Sequence, residues 1–130
     1  MEILQPPSWV RPRGYSNGIC ASGRIVVTGG MVGWDQNEMF VAEDMAGQGA
    51  QTFKNIVAVL SEAGARPEHI IRLTWYIIDK VEYKNSLKKI GAAYQDAFGK
   101  HFPAMAVVEV SALMEDQAQI EIEAMAVIPE

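Results

Sequence analysis

The amino-acid sequence predicts a single α+β domain in the order ββαβαββ, one sheet with two helices on one face. Two stretches repeat their apolar residues every three and four positions, as a half-buried helix must. Three others alternate or run β-branched, as strands do. At 130 residues the chain can bury one hydrophobic core but not two, so residues 1–130 are read as one domain.

Pro6, Pro7 and Pro12 keep the start extended. Ile19 to Ala21 and Arg24 to Thr28 read as short strands, and Ser22-Gly23 between them predicts a hairpin. Gly29, Gly30 and Gly33 end the second strand and lead into a loop through Trp34, Asp35, Gln36 and Asn37. From about Val41 the period changes. Met45, Gly49, Thr52, Phe53, Ile56, Leu60 and Ala63 share one helical face, and Gly64 stands where a left-handed cap closes a helix.

Ile70 to Asp79 is too apolar for a surface segment and reads as an inner strand. Its period sets Ile71, Leu73, Trp75 and Ile77 on one side and Ile70, Arg72, Thr74, Tyr76 and Ile78 on the other. Tyr83, Leu87, Ile90, Tyr94, Ala97 and Phe98 return to the helical period, with Gly99 as the stop and Pro103 beyond it. Ala104 to Leu113 and Gln119 to Ile128 read as the last two strands. Their outward positions, taken as Met105, Val107, Leu113, Met125 and Val127, are too apolar for a solvated face. Self-association is the expected remedy.

Composition narrows the function classes. Half the residues are apolar (49%) and the net charge is -5, which suits a globular protein and leaves no basic stripe to neutralise phosphates. Nucleic acid is not an expected partner. No apolar run approaches a membrane span, and Met1 to Pro7 lacks the basic and apolar regions of a signal peptide, so a soluble, cytoplasmic protein is expected. Cys20 has no partner for a disulfide and reads as a buried strand residue. His69 and His101 have no spacing that would make them metal ligands and read as surface residues, so no metal is implied.

From Pro103 the run Pro-Ala-Met-Ala-Val-Val-Glu-Val-Ser-Ala-Leu, a short polar stretch, and Ile120-Glu121-Ile122 resemble the C-terminal signature of the RidA (YjgF) family. That signature is Pro-Ala-Arg, an apolar strand, a small residue with Leu, a variable loop, and an apolar-Glu-apolar close. Gly14-Tyr15-Ser16-Asn17-Gly18 resembles the family's Gly-Pro-Tyr-Ser-Gln start, and the Val-Thr-Gly-Gly strand end agrees as well. The resemblance covers nearly the whole chain. It implies a chorismate-mutase-like fold, a homotrimer with its sheets in a central barrel, and a small-molecule ligand in each cleft between subunits. It further implies hydrolysis of a small 2-imino or 2-enamino acid, its carboxylate clamped by the signature arginine, to a 2-oxo acid and ammonia, without metal or cofactor.

Carried over by position, Glu121 is the candidate catalytic residue, holding and activating water. Tyr15 corresponds to the tyrosine at the cleft mouth. Gly30, Met31, Trp34, Met105 and Val107 complete the candidate substrate-binding set. Each has a plainer reading: Glu121 as a solvated or paired strand carboxylate, Tyr15 as a packing residue, and Trp34 as a loop indole lying over a helix. Glu123 and Glu109 are read as structural.

Met105 stands where the family has arginine, and a thioether cannot clamp a carboxylate. Gly29 replaces the usual serine and Gly91 an asparagine found in several relatives. The expected cleft is wider and more apolar, and its ligand differs from the standard 2-imino acids. Arg72 and Arg13 are candidate anion anchors. The plainer reading of Arg72 is an ion pair, with Asp79 or with a partner subunit. The leading expectation is a RidA-like deaminase. A non-catalytic binding or interaction trimer is the alternative, and a ribonuclease or translation inhibitor fits the acidic composition less well.

Overall fold

The computed structural model describes residues 1–130. Its elements run β1 (Glu2–Ile3), β2 (Ile19–Cys20), β3 (Arg24–Val27), β4 (Met31–Val32), α1 (Met45–Ser61), β5 (Ile70–Ile77), α2 (Lys80–Asn85), α3 (Leu87–Phe98), β6 (Ala104–Glu109) and β7 (Ile120–Ile128). A 3-10 turn, Pro67–His69, leads into β5. The five-stranded sheet has the order β3-β7-β5-β6, and β4 pairs with β7 beyond β3. All its pairings are antiparallel except β5 with β6, which need the α2–α3 crossover to run parallel.

The helices cover one sheet face. Phe53, Ile56 and Leu60 of α1 and Ile90, Tyr94 and Phe98 of α3 meet Leu73, Trp75 and Ile77 of β5 and Ile120, Ile122, Ala124 and Ala126 of β7 in one buried cluster. Phe53 is fully buried, with Trp75 and Tyr94 edge-on at 5.5 and 5.7 Å. Removing such a ring costs about 3–5 kcal/mol. Helix α1 starts at Asp44, whose carboxylate accepts from the Gly47 N–H. It closes as expected at Gly64 (φ 79), where Gly64 N–H donates to Ser61 and Ala65 N–H to Leu60.

Four expectations are corrected. Strands β2 and β3 do not form a hairpin: β2 pairs with β1 and β3 with β7. Gly23, at φ 144, lies so close to the Ile128 carbonyl that a Cβ there would overlap it, and the turn sends the chain onto β7 instead of back along β2. Ile70, not Ile71, shares the core face with Leu73. A bulge between Ile70 and Arg72 spends two residues of β5 against one of β7 and reverses the alternation. The second helix is two. Ser86 (φ -103, ψ 4) donates to both Glu82 and Tyr83 carbonyls, and α3 begins afresh after it. Cys20 is exposed, because the small β1–β2 ribbon lies outside the main core.

A fifth correction bears on the site. Met105 and Val107 sit opposite Leu73 and Trp75 across the parallel pair, so they face the helices and not the open sheet face. The open face carries Ile25 and Val27, both exposed, with Glu121, Glu123, Arg72, Thr74 and Tyr76. No helix is long and apolar enough to cross a membrane.

Candidate functional site

A cleft of about 410 Å3 opens on the helix side of the sheet edge. Met105 and Val107 of β6 and Trp75 of β5 form its sheet wall; Tyr83, Leu87, Ile90, Gly91 and Tyr94 form its helix wall. Arg13, Gly14 and Tyr15 close the third side. They are held there because Ser16 bridges to Ala104 alongside β6: its N–H donates to the Pro103 carbonyl (3.0 Å) and its hydroxyl to Phe102 (2.5 Å). The buried serine of the Tyr-Ser pair therefore fixes where the tyrosine stands.

Aromatic stacking sets the cleft's shape. Tyr94 lies nearly parallel to Phe102 (5.6 Å, 6°) and to Trp75 (6.3 Å, 21°), and Tyr83 stands edge-on to Trp75 (6.2 Å, 85°). The Tyr94 hydroxyl donates to the His101 carbonyl (2.6 Å), and the His101 ring is bonded through Nε2 to the Ile70 carbonyl (2.6 Å), which requires the proton on that nitrogen. His101 is thus a half-buried clip and not a surface residue. His69 is likewise engaged, its Nδ1 accepting from the Arg66 N–H. Burial raises the ionisation of the Tyr83 and Tyr94 phenols above the ordinary range.

Glu121 lies elsewhere. It alternates with the buried Ile120 and Ile122 along β7, so its half-buried carboxylate projects from the opposite sheet face, between Val32 and Tyr76 on the neighbouring strands. There it packs on Gly30, where a Cβ would overlap its Oε2. Next to it, Glu123 accepts from the Tyr76 hydroxyl (3.1 Å), and this bond is the main reason that the Tyr76 phenol ionises above its usual range. Thr28 holds the strand end, accepting from Ala124 N–H (3.0 Å) and donating to Gly29 (2.8 Å).

The candidate residues fall into separate groups. Arg13, Tyr15, Met105 and Val107 share the cleft. Glu121 and Gly30 share the open sheet face. Arg72 is on that face too, in a hollow with Thr28, Thr74 and Glu123. Its expected pairing with Asp79 is absent: the one ion pair in the chain joins Arg66 and Glu68 at 3.4 Å, and Asp79 instead caps α2 by accepting from Glu82 N–H. Met31 packs against the core, and Trp34 lies on Phe40 (5.7 Å) within its own loop. Glu109 accepts from the Lys80 N–H and so holds the start of α2.

Sequence reasoning missed the helix wall. Tyr83, Leu87 and Tyr94 are legible as one helical face but read as packing on the sheet, whereas Gly91, read as a departure that widens the cleft, does line it. A glycine inside that face, with nothing within 4 Å of where its Cβ would be, marks the gap.

Comparison with known proteins bears on the same elements. Residues 10–128 match the family model described as Endoribonuclease L-PSP. A 2-iminobutanoate/2-iminopropanoate deaminase of Salmonella typhimurium is 35% identical over 108 residues, covering 81% of this chain and 80% of that protein. A RutC family protein of Pyrococcus abyssi is 34% identical over 126 residues, or 96% and 95% of the two. Among solved structures, YyfB of the Rid family from Yersinia pestis superposes with a TM-score of 0.85 at 29% identity, over 98% of each chain. The YjgF gene product of E. coli gives 0.68 at 31% identity, over 93% of this chain and 91% of that one. The fold, the Tyr-Ser start and the Ile-Glu-Ile strand thus have one explanation: the chain belongs to the RidA (YjgF) family.

Proposed function

We propose that this protein is a hydrolytic deaminase of small enamines or imines, working in a cleft that a neighbouring subunit of a homotrimer completes. The observation that carries the reading is the division of the site positions between two sheet faces. Arg13, Tyr15 and Met105 line the cleft, whereas Glu121 with Gly30 projects from the other side of the same sheet. A ligand that meets both groups needs two copies of the chain. The exposed aliphatic residues Ile25, Val27 and Val108 give the open face a reason to associate. The name of the Salmonella relative supports the reaction class.

The chemistry needs little of the protein. An imine carbon is already electrophilic. Glu121 holds a water and takes its proton as the new C–O bond forms, while the C=N electron pair goes to nitrogen, which takes a proton from solvent. The proton held by Glu121 then reaches the amine, the C–N bond breaks as the hydroxyl gives its proton to solvent and the carbonyl forms, and ammonia leaves. One water is consumed. Such positioned proton transfer is worth about 10² to 10⁴ in rate. With Met105 in place of the family arginine, the carboxylate clamp is missing from the cleft, so the standard 2-imino acids lose their main anchor.

Met105 favours a second reading, a trimer that binds a ligand without transforming it. One experiment separates the two: imines generated in place by an amino-acid oxidase are followed to ammonia with the wild type and Glu121→Ala. Acceleration by the wild type alone supports the deaminase. Equal, uncatalysed rates refute it for those imines, and a thermal shift with the corresponding 2-oxo acids then supports the binder. Undetectable RNA binding at low salt would dispose of the ribonuclease reading.

A further inference from the structure

The cleft holds more room than a small imine fills, and one polar group of a wall residue, buried behind the cleft surface, has no partner. Trp75 is 3% exposed, and its Nε1–H is a buried polar atom that donates to nothing. An unpaired buried donor costs about 1–3 kcal/mol. The cleft walls are mostly aromatic or aliphatic, with Tyr83, Tyr94, Phe102 and Leu87 among them, and Gln95 adds one amide. Arg13 stands at the exposed end, free of any ion pair, and no carboxylate lines the space. At ~30 Å3 for each water-sized unit, 410 Å3 accommodates a ligand of about a dozen non-hydrogen atoms.

We infer that the cleft selects aromatic 2-imino acids whose ring carries a hydrogen-bond acceptor at its far end, as a para-hydroxyphenyl group does. The ring slides between the aromatic walls, its hydroxyl oxygen accepts from Trp75 Nε1–H, and the carboxylate meets Arg13 at the mouth. Tyr83, edge-on to the indole and carried by the short α2, is the side chain that moves aside. Trp75 is then a binding residue that sets specificity. The inference rests on the deaminase reading for its substrate but not for its ligand shape, and stable 2-oxo acids test the shape alone.

The test is calorimetric binding of 4-hydroxyphenylpyruvate, phenylpyruvate and 2-oxobutanoate to the intact protein. The expected order is tightest for the first, with phenylpyruvate at least about tenfold tighter than 2-oxobutanoate. The ring hydroxyl should contribute about threefold or more in the wild type and nothing in Trp75→Phe, which keeps an aromatic side chain and loses the N–H. Gly91→Leu, at a helix position where a side chain is tolerated, should narrow the cleft and lower the preference for aromatic acids. Equal binding of the three acids, or a hydroxyl contribution that survives Trp75→Phe, overturns the inference. Imine assays that show no acceleration while 4-hydroxyphenylpyruvate still binds in this pattern would refute the deaminase reading and leave the ligand class standing.

Discussion

Gly30 lies against the Glu121 carboxylate, so close that a Cβ on the glycine would overlap Oε2. The strand end therefore leaves the Glu121 carboxylate a seat that any side chain at position 30 would take. Gly30→Ala should displace the carboxylate and lower the rate of imine hydrolysis by at least about tenfold. It should change stability by no more than ~1 kcal/mol, since Gly30 is exposed. Steady-state kinetics beside a urea unfolding curve separate the two effects. An unchanged rate would mean that the carboxylate's place does not matter.

Met105 should respond in the opposite sense. Met105→Arg puts a guanidinium on the sheet wall of the cleft, where charge-assisted hydrogen bonds to a carboxylate are worth about 1.5–3 kcal/mol. Affinity for 2-oxobutanoate should rise about tenfold or more by calorimetry. No gain would mean that a carboxylate does not reach β6.

Gln48 tests the packing behind the site. It is 1% exposed, donates to the Ala42 and Gln117 carbonyls (3.1 and 2.9 Å) and accepts from Gln119 N–H (2.7 Å), tying the loop before α1 to the start of β7. Gln48→Ala strands these backbone groups and should cost about 3 kcal/mol or more, read as a lower urea midpoint. A loss under about 1 kcal/mol would show that water replaces the side chain.

The tyrosines make a pH prediction. Burial raises Tyr83 and Tyr94, and the bond to Glu123 raises Tyr76, above the ordinary value of 10.0. The folded state thus holds these protons more tightly than the unfolded chain. Their contribution to stability is complete below pH 10 and is lost as the pH climbs through the folded values. Tyrosinate absorbance between about pH 10 and 12 should lag in the native protein behind that in urea. Coincident titrations would contradict the assigned environments.

Much of this was legible in the sequence. The apolar period of Met45 to Ala63 and the Gly64 stop define α1 because burial and capping are local in origin. What escaped was set by tertiary contact. The bulge at Ile71 reverses the face of Ile70, and no propensity announces it. Gly23 reads as a hairpin turn until its carbonyl neighbour Ile128 is known. For the site, strand alternation alone could not say which face of β6 meets the helices. Alternation sets Met105 on the open face, whereas the family resemblance groups it with Tyr15 in the ligand cleft; the structure sets the two together on the helix side. The separation of Glu121 from that cleft, on which the proposed two-subunit site rests, needed coordinates.

Subunit mixing tests that separation most directly. Glu121→Ala removes the carboxylate, and Gly91→Trp fills the cleft; under the proposed function each variant alone should be nearly inactive in the imine assay. Unfolded and refolded together at equal ratio, they should recover about a quarter of the wild-type rate, the chance that a site pairs an intact Glu121 from one chain with an intact cleft from another. Activity no greater than the mean of the two parents would place Glu121 and the cleft of one site in the same chain, and would contradict the shared site.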